Sequence, residues 1–135
     1  MGRDVGARMD VLQMRARIAE PEIEQLVHRF YDAVRADPVL APVFDAHIAA
    51  NAWPAHLDRM VAFWSTVLRG TGRYRGNPIV AHFPLREVRA MHLARWLELF
   101  RTTARAVFDA ECADAVIARA EGMGESLREA MRLGH

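Results

Sequence analysis

Residues 53–70 read WPAHLDRMVAFWSTVLRG. Trp53, His56, Leu57, Met60, Phe63, Trp64, Val67 and Leu68 recur at steps of three and four, the period of one helical face, and Gly70 supplies a stop. The spacing predicts a helix after Ala52 with His56 inside its apolar stripe. Upstream, the same period runs through Ile23, Leu26, Val27, Phe30, Tyr31 and Val34. That helix can start at Glu20-Pro21, where proline suits the first turn and Glu22 and Glu24 favour the positive end of the dipole. Asp37-Pro38 breaks it, and Val39, Leu40, Val43 and Phe44 then form a short apolar corner around Pro42. Downstream, Leu85, Val88, Met91, His92, Trp96, Leu99, Phe100 and Val107 outline a long third helix. Asp109 can cap a fourth, which carries Cys112, Val116, Ala120, Met123, Leu127 and Met131. No strand-like alternation competes. The prediction is an all-α domain of four substantial helices over residues 18–135, with the weakly patterned, Arg-rich residues 1–17 as a flexible or loosely docked extension.

The middle connection is the odd part. GTGRYRGNP, residues 70–78, holds glycines at 70, 72 and 76, and Asn77-Pro78 can start a helix that Pro84 limits to barely a turn and a half. His82 lies in that piece. A loop longer than simple helix pairing needs is where a site is expected.

Composition narrows the chemistry. The 135 residues include 18 basic and 17 acidic side chains, a formal charge of +1, so non-specific nucleic-acid binding is not expected. With 52% hydrophobic residues there is material for a core, and no apolar run approaches the roughly 20 residues of a membrane span. The start, MGRDVGARMDVLQMRAR, does not read as a signal peptide. The single cysteine, Cys112, excludes an internal disulfide framework and points to a reducing, cytoplasmic setting. On the last helix it reads as a small buried hydrophobe rather than a reactive thiol. All the basic residues are arginine, which removes lysine Schiff-base chemistry and the lysine-bearing phosphate loop.

Six histidines remain to be placed. There is no HExxH and no repeated Glu-x-x-His, so a zinc hydrolase or a di-iron bundle lacks its ligands. His56 and His82 are left, with Tyr31 and Trp96 on the apolar faces of two other helices. Each of these alone has an ordinary place in a core. Together they bring four polar tips inward, and every unsatisfied one costs on the order of 1–3 kcal/mol, a cost that a bound polar or metal-containing ligand would relieve. His82 is the better metal ligand, because its segment is too short to be held by its own backbone hydrogen bonds. His92 competes but sits on a long regular helix, where a surface or groove role is expected. His28, His47 and His135 fall on polar faces, loops or the terminus and are assigned nothing.

The chain resembles a truncated (two-on-two) globin, most closely the third group. The matching stretches are LVHRFYDAVRADPVLAPVF at 26–44, WPAHLDRMVAFWSTVL at 53–68, GRYRGNPIVAHFPL at 72–85 and RWLELF at 95–100. The resemblance implies a two-over-two helical sandwich holding haem b (protohaem IX), with His82 as the iron's proximal ligand. It makes Tyr31 and Trp96 distal hydrogen-bond donors and His56 a distal-helix residue that can act as a gate. Phe44, Met60 and Phe63 would line the haem and Trp64 would support the core behind it. Arg73 and Arg75, flanking Tyr74, could reach the haem propionates or simply be solvated loop residues.

The function so implied is binding of oxygen, nitric oxide or carbon monoxide, with nitric oxide dioxygenation or peroxide reduction left open and the reductase unknown. A haem-based gas sensor or interaction module is the alternative, and a helical scaffold that has lost haem is a more distant one.

Overall fold

The computed structural model describes residues 9–82 and 86–133. Among them are seven α-helices: α1 (Val11–Arg17), α2 (Glu20–Ala36), α3 (Ala41–His47), α4 (Trp53–Arg69), α5 (Pro78–His82), α6 (Ala90–Val107) and α7 (Ala110–Ala130). A 3-10 turn at Ala50–Ala52 leads into α4, and no strand occurs among these residues. None of the helices is long and apolar enough to cross a membrane.

Local chemistry sets the helix ends. Gly70 closes α4 in the left-handed region at φ +65°, where its N–H donates to the Thr66 carbonyl at 2.9 Å. Asp109 caps α7 by accepting the Cys112 N–H at 2.8 Å. Burial, followed by the nearby Asp109 charge, pushes the Cys112 thiol up to about 11, so it stays protonated and unreactive.

Asp37, where α2 ends, does more than stop a helix. Its carboxylate accepts the N–H groups of Val39 and Leu40, each at 3.0 Å, and pairs with Arg95 of α6 at 2.6 Å. The Arg95 hydrogen bond first, with the two backbone donors, holds this carboxyl below the usual Asp range. A depressed carboxylate stabilises the fold above its unfolded value of 3.8, and that stability is lost as pH falls through the lower folded value. Asp37→Asn is therefore expected to lower the melting temperature at neutral pH. The gap from wild type should close in thermal melts taken progressively below pH 4, and a gap that stays constant would contradict this account.

Four long helices build the core. α2 packs on α4 and on α6, and α6 packs on α7, giving two pairs joined through α2 and α6. Phe30 and Phe100 sit at their junction, 2% and 0% exposed, with ring centroids 5.4 Å apart. Trp64 and Trp96 close on Phe100 at 5.0 and 5.3 Å.

Three expectations change. Residues 9–17 are docked: Asp10 and Gln13 form a reciprocal capping box on α1, Met14 is fully buried, and the helix packs on α4 and α7. Arg17 reaches the start of α7, pairing with Asp109 at 3.3 Å and with Glu111. Residues 1–8 lie outside the described residues. The long third helix starts at Ala90, because the Arg89 N–H is taken by the His92 ring rather than by a preceding turn. Its expected first residue, Leu85, lies outside the described residues, as do Pro84 and His135. The apolar corner after Pro38 is a two-turn helix, α3.

Candidate functional site

Six helices and the loop after α4 enclose a cavity of about 370 Å³. α2 contributes Tyr31, α3 contributes Phe44 and His47, and α4 contributes His56, Arg59, Met60, Phe63 and Trp64. Tyr74 comes from the loop, Pro78, Ala81 and His82 from α5, and His92, Leu93 and Trp96 from α6. Met123, Gly124 and Leu127 of α7 complete the wall. The cavity is mostly apolar and aromatic, with a few convergent polar tips, which is the usual make-up of a cofactor pocket.

The imidazoles are distinguished by their hydrogen bonds. Nδ1 of His82 lies 2.6 Å from the Pro78 carbonyl. A carbonyl can only accept, so Nδ1 carries the proton and the Nε2 lone pair is left for a metal. Pro78 and His82 stand at the two ends of α5, so this bond is local to that short helix. His92 is wired the opposite way. Its Nδ1 accepts the Arg89 N–H at 2.8 Å, so a neutral ring carries its proton on Nε2 and has no lone pair to offer there. No cluster of three or more His, Cys, Asp or Glu suited to a metal occurs among the described residues.

Nε2 of His56 is buried and has no hydrogen-bond partner among the described residues. Burial, then the charges of Arg59 and His82, pushes this imidazole down to about 4, so the ring is neutral at physiological pH. Beside it, Tyr31 is 6% exposed and its ring meets the His56 ring edge to face at 5.2 Å. Burial raises the Tyr31 phenol, which therefore remains a hydrogen-bond donor. Trp96 is held in place by stacking on Phe100, with 17° between the rings. The orphaned His56 nitrogen, the protonated Tyr31 phenol and the Trp96 indole belong to three side chains that line one cavity, and the nitrogen is left without a partner there. The residues present fit a haem.

The rim differs from expectation. Arg73 does not line the cavity; it pairs with Glu20 at 3.0 Å. That carboxylate also accepts Arg69 and the Ser65 hydroxyl, both at 2.7 Å. Burial alone would raise the Glu20 carboxyl, but these donors outweigh it and hold it below the usual range. Arg75 is exposed and also off the cavity. Tyr74 does line it, packing on Phe63 at 5.2 Å, while its N–H donates to the Thr66 hydroxyl at 2.9 Å. Among the described residues the arginine that lines the cavity is Arg59, one turn after His56, which sequence reading passed over; its place three residues from a stripe histidine was the available signal. His47 and His92 line it too, with His47 Nε2 bonded to Glu87 at 2.7 Å.

Comparison with known proteins adds the relationship. A family model described as bacterial-like globin matches residues 18–132. The group 3 truncated hemoglobin of Campylobacter jejuni is 30% identical over 106 residues, covering 77% of this chain and 84% of that protein. The crystal structure of the group III truncated hemoglobin from Campylobacter jejuni matches with a TM-score of 0.81 at 28% identity, over 87% of this chain and 96% of that one. Fold, cavity and sequence agree, and the chain belongs to the bacterial-like globin family, with the fold of the group III truncated haemoglobins.

Proposed function

We propose that the cavity holds protohaem, that Nε2 of His82 would bind its iron, and that the chain binds oxygen, nitric oxide and carbon monoxide within reach of Tyr31, His56 and Trp96. The observation that carries this reading is the His82 tautomer: its proton is committed to Pro78, and the remaining lone pair belongs to a ring on the cavity wall that also bears the orphaned His56 nitrogen. Bound there, haem supplies an iron with an open coordination position and one-electron chemistry with nitric oxide or peroxide.

The side chains do the rest. Met60, Phe63 and Phe44 line the cavity with apolar surface that would exclude water from a bound haem. Arg59 is the cation best placed for its carboxylates. The Tyr31 hydroxyl and Trp96 indole donate to a ligand that carries negative charge, which slows its release and favours redox turnover, supported by an external reductase, over rapid exchange. The buried Cys112 thiol suits a reducing cytoplasm.

Stopped-flow oxygen dissociation tests this. A hydrogen bond to a charged acceptor contributes about 1.5–3 kcal/mol, so Tyr31→Phe is expected to speed release by roughly 10- to 100-fold, and Trp96→Phe to speed it as well. Unchanged rates in both variants would remove the distal-donor role. A wild-type protein that gives no carbon monoxide shift of its Soret band would remove haem itself.

A further inference from the structure

Trp53 opens α4 one turn before His56, is 2% exposed, and does not line the cavity. It stands behind a residue that does. Its ring meets the His56 imidazole nearly at right angles, centroids 5.3 Å apart, and the Tyr31 ring meets the same imidazole at 5.2 Å. Tyr31 and Trp53 are 5.8 Å apart, so the three rings close a triangle. Phe44 stacks on Trp53 at 6.3 Å with 27° between the planes. From the solvent side the guanidinium of the exposed Arg35 lies over the indole, 4.5 Å from its centroid.

No hydrogen bond among the described residues holds the His56 ring, and its buried Nε2 is without a partner. Among the described residues, ring packing is what holds the imidazole in place. An edge-to-face ring pair contributes beyond its buried area, and a guanidinium over an indole resists displacement of that indole.

We infer that Trp53, clamped from outside by Arg35, is a positioning residue that keeps the His56 imidazole turned to the cavity. Loss of the indole frees the ring to leave its place against Tyr31. Loss of the Arg35 charge does so more weakly, through Trp53. The consequence for ligand access rests on the haem reading above, whereas the positioning itself is a property of the polypeptide and is read without haem.

Two measurements test it. In the first, the chain without added haem is treated with diethyl pyrocarbonate and the rate at each histidine is followed by mass spectrometry. Trp53→Leu should raise the His56 rate about 2- to 10-fold. Arg35→Met, a surface change that leaves all the rings in place, should raise it about 2- to 5-fold. The rates at His28 and His92 should not change, whereas general loosening of the fold would raise His92 as well.

In the second, carbon monoxide rebinding to the haem-loaded protein is followed after flash photolysis. Trp53→Leu should speed association by about 2- to 10-fold. In a His56→Leu background it should have no further effect, and an equal acceleration there overturns the inference, since Trp53 would then act as a simple wall. Equal His56 modification in wild type and both variants overturns it regardless of haem. If the modification pattern holds but the wild type shows no carbon monoxide signal, positioning stands and the haem reading alone fails.

Discussion

His82→Gly is expected to lose haem retention by more than the roughly 10- to 100-fold that follows when only a ligand's hydrogen-bonded partner is removed. The reason is specific to this cavity. Among its imidazoles, His82 combines a proton fixed on Nδ1 by the Pro78 carbonyl with a free Nε2 lone pair, whereas His92 is fixed in the opposite tautomer by the Arg89 N–H. His47 has its Nε2 engaged by Glu87. The ferric, reduced and carbon monoxide spectra of the variant should depart from wild type, and added imidazole should restore them by filling the space the side chain left. His92→Gln should leave the spectra as they are. If His82→Gly keeps the wild-type spectrum, or His92→Gln loses it, the axial assignment is wrong.

The second large effect is on stability. Phe100 is fully buried and touches three aromatic rings, Phe30, Trp64 and Trp96, contributed by α2, α4 and its own helix. Phe100→Ala leaves a cavity where the two helix pairs meet, at a cost of about 3–5 kcal/mol. Domains of this size have total stabilities on the order of 5–15 kcal/mol, so a large share is lost and the urea midpoint should fall accordingly. Phe100→Leu should recover most of it, because the smaller void can be filled in part by its neighbours. A midpoint shift equivalent to less than about 1 kcal/mol for the alanine variant would mean that the junction is not the centre of the core. The same substitution takes away the ring on which Trp96 stacks, so stability and the Trp96 side of the cavity are linked through one side chain.

What the sequence made legible is mostly local. Gly70, Asp109 and Asp37-Pro38 mark helix ends that the structure keeps, because each acts through its own backbone neighbourhood. Tyr31, His56 and Trp96 could be collected in advance because apolar periodicity tells which face of a helix turns inward, and His82 because its short proline-bounded segment stands out; the structure places all four on one cavity. The Asp10-x-x-Gln13 capping box was equally local, yet its helix carries too few apolar residues to stand out by period; Met14 and Ile18 do its anchoring.

Pairings across long stretches of chain were not legible. Nothing near Arg73 announces Glu20, and nothing near Arg95 announces Asp37. Of the α7 residues on the cavity, Met123 and Leu127 stand in the apolar stripe, whereas Gly124 has no side chain to register in a hydrophobic pattern.

That glycine has a mechanical consequence. Gly122 and Gly124 fall within one turn of α7, and each weakens a helix by about 1 kcal/mol relative to alanine. A methyl group at Gly124 would meet Leu97 Cδ1 at 3.4 Å, bare contact, on a residue that also lines the cavity. The floor of the cavity is thus made from the softest turn of the longest helix. That part of the wall therefore trades helix strength for the absence of a side chain, with Leu97 packed where one would reach.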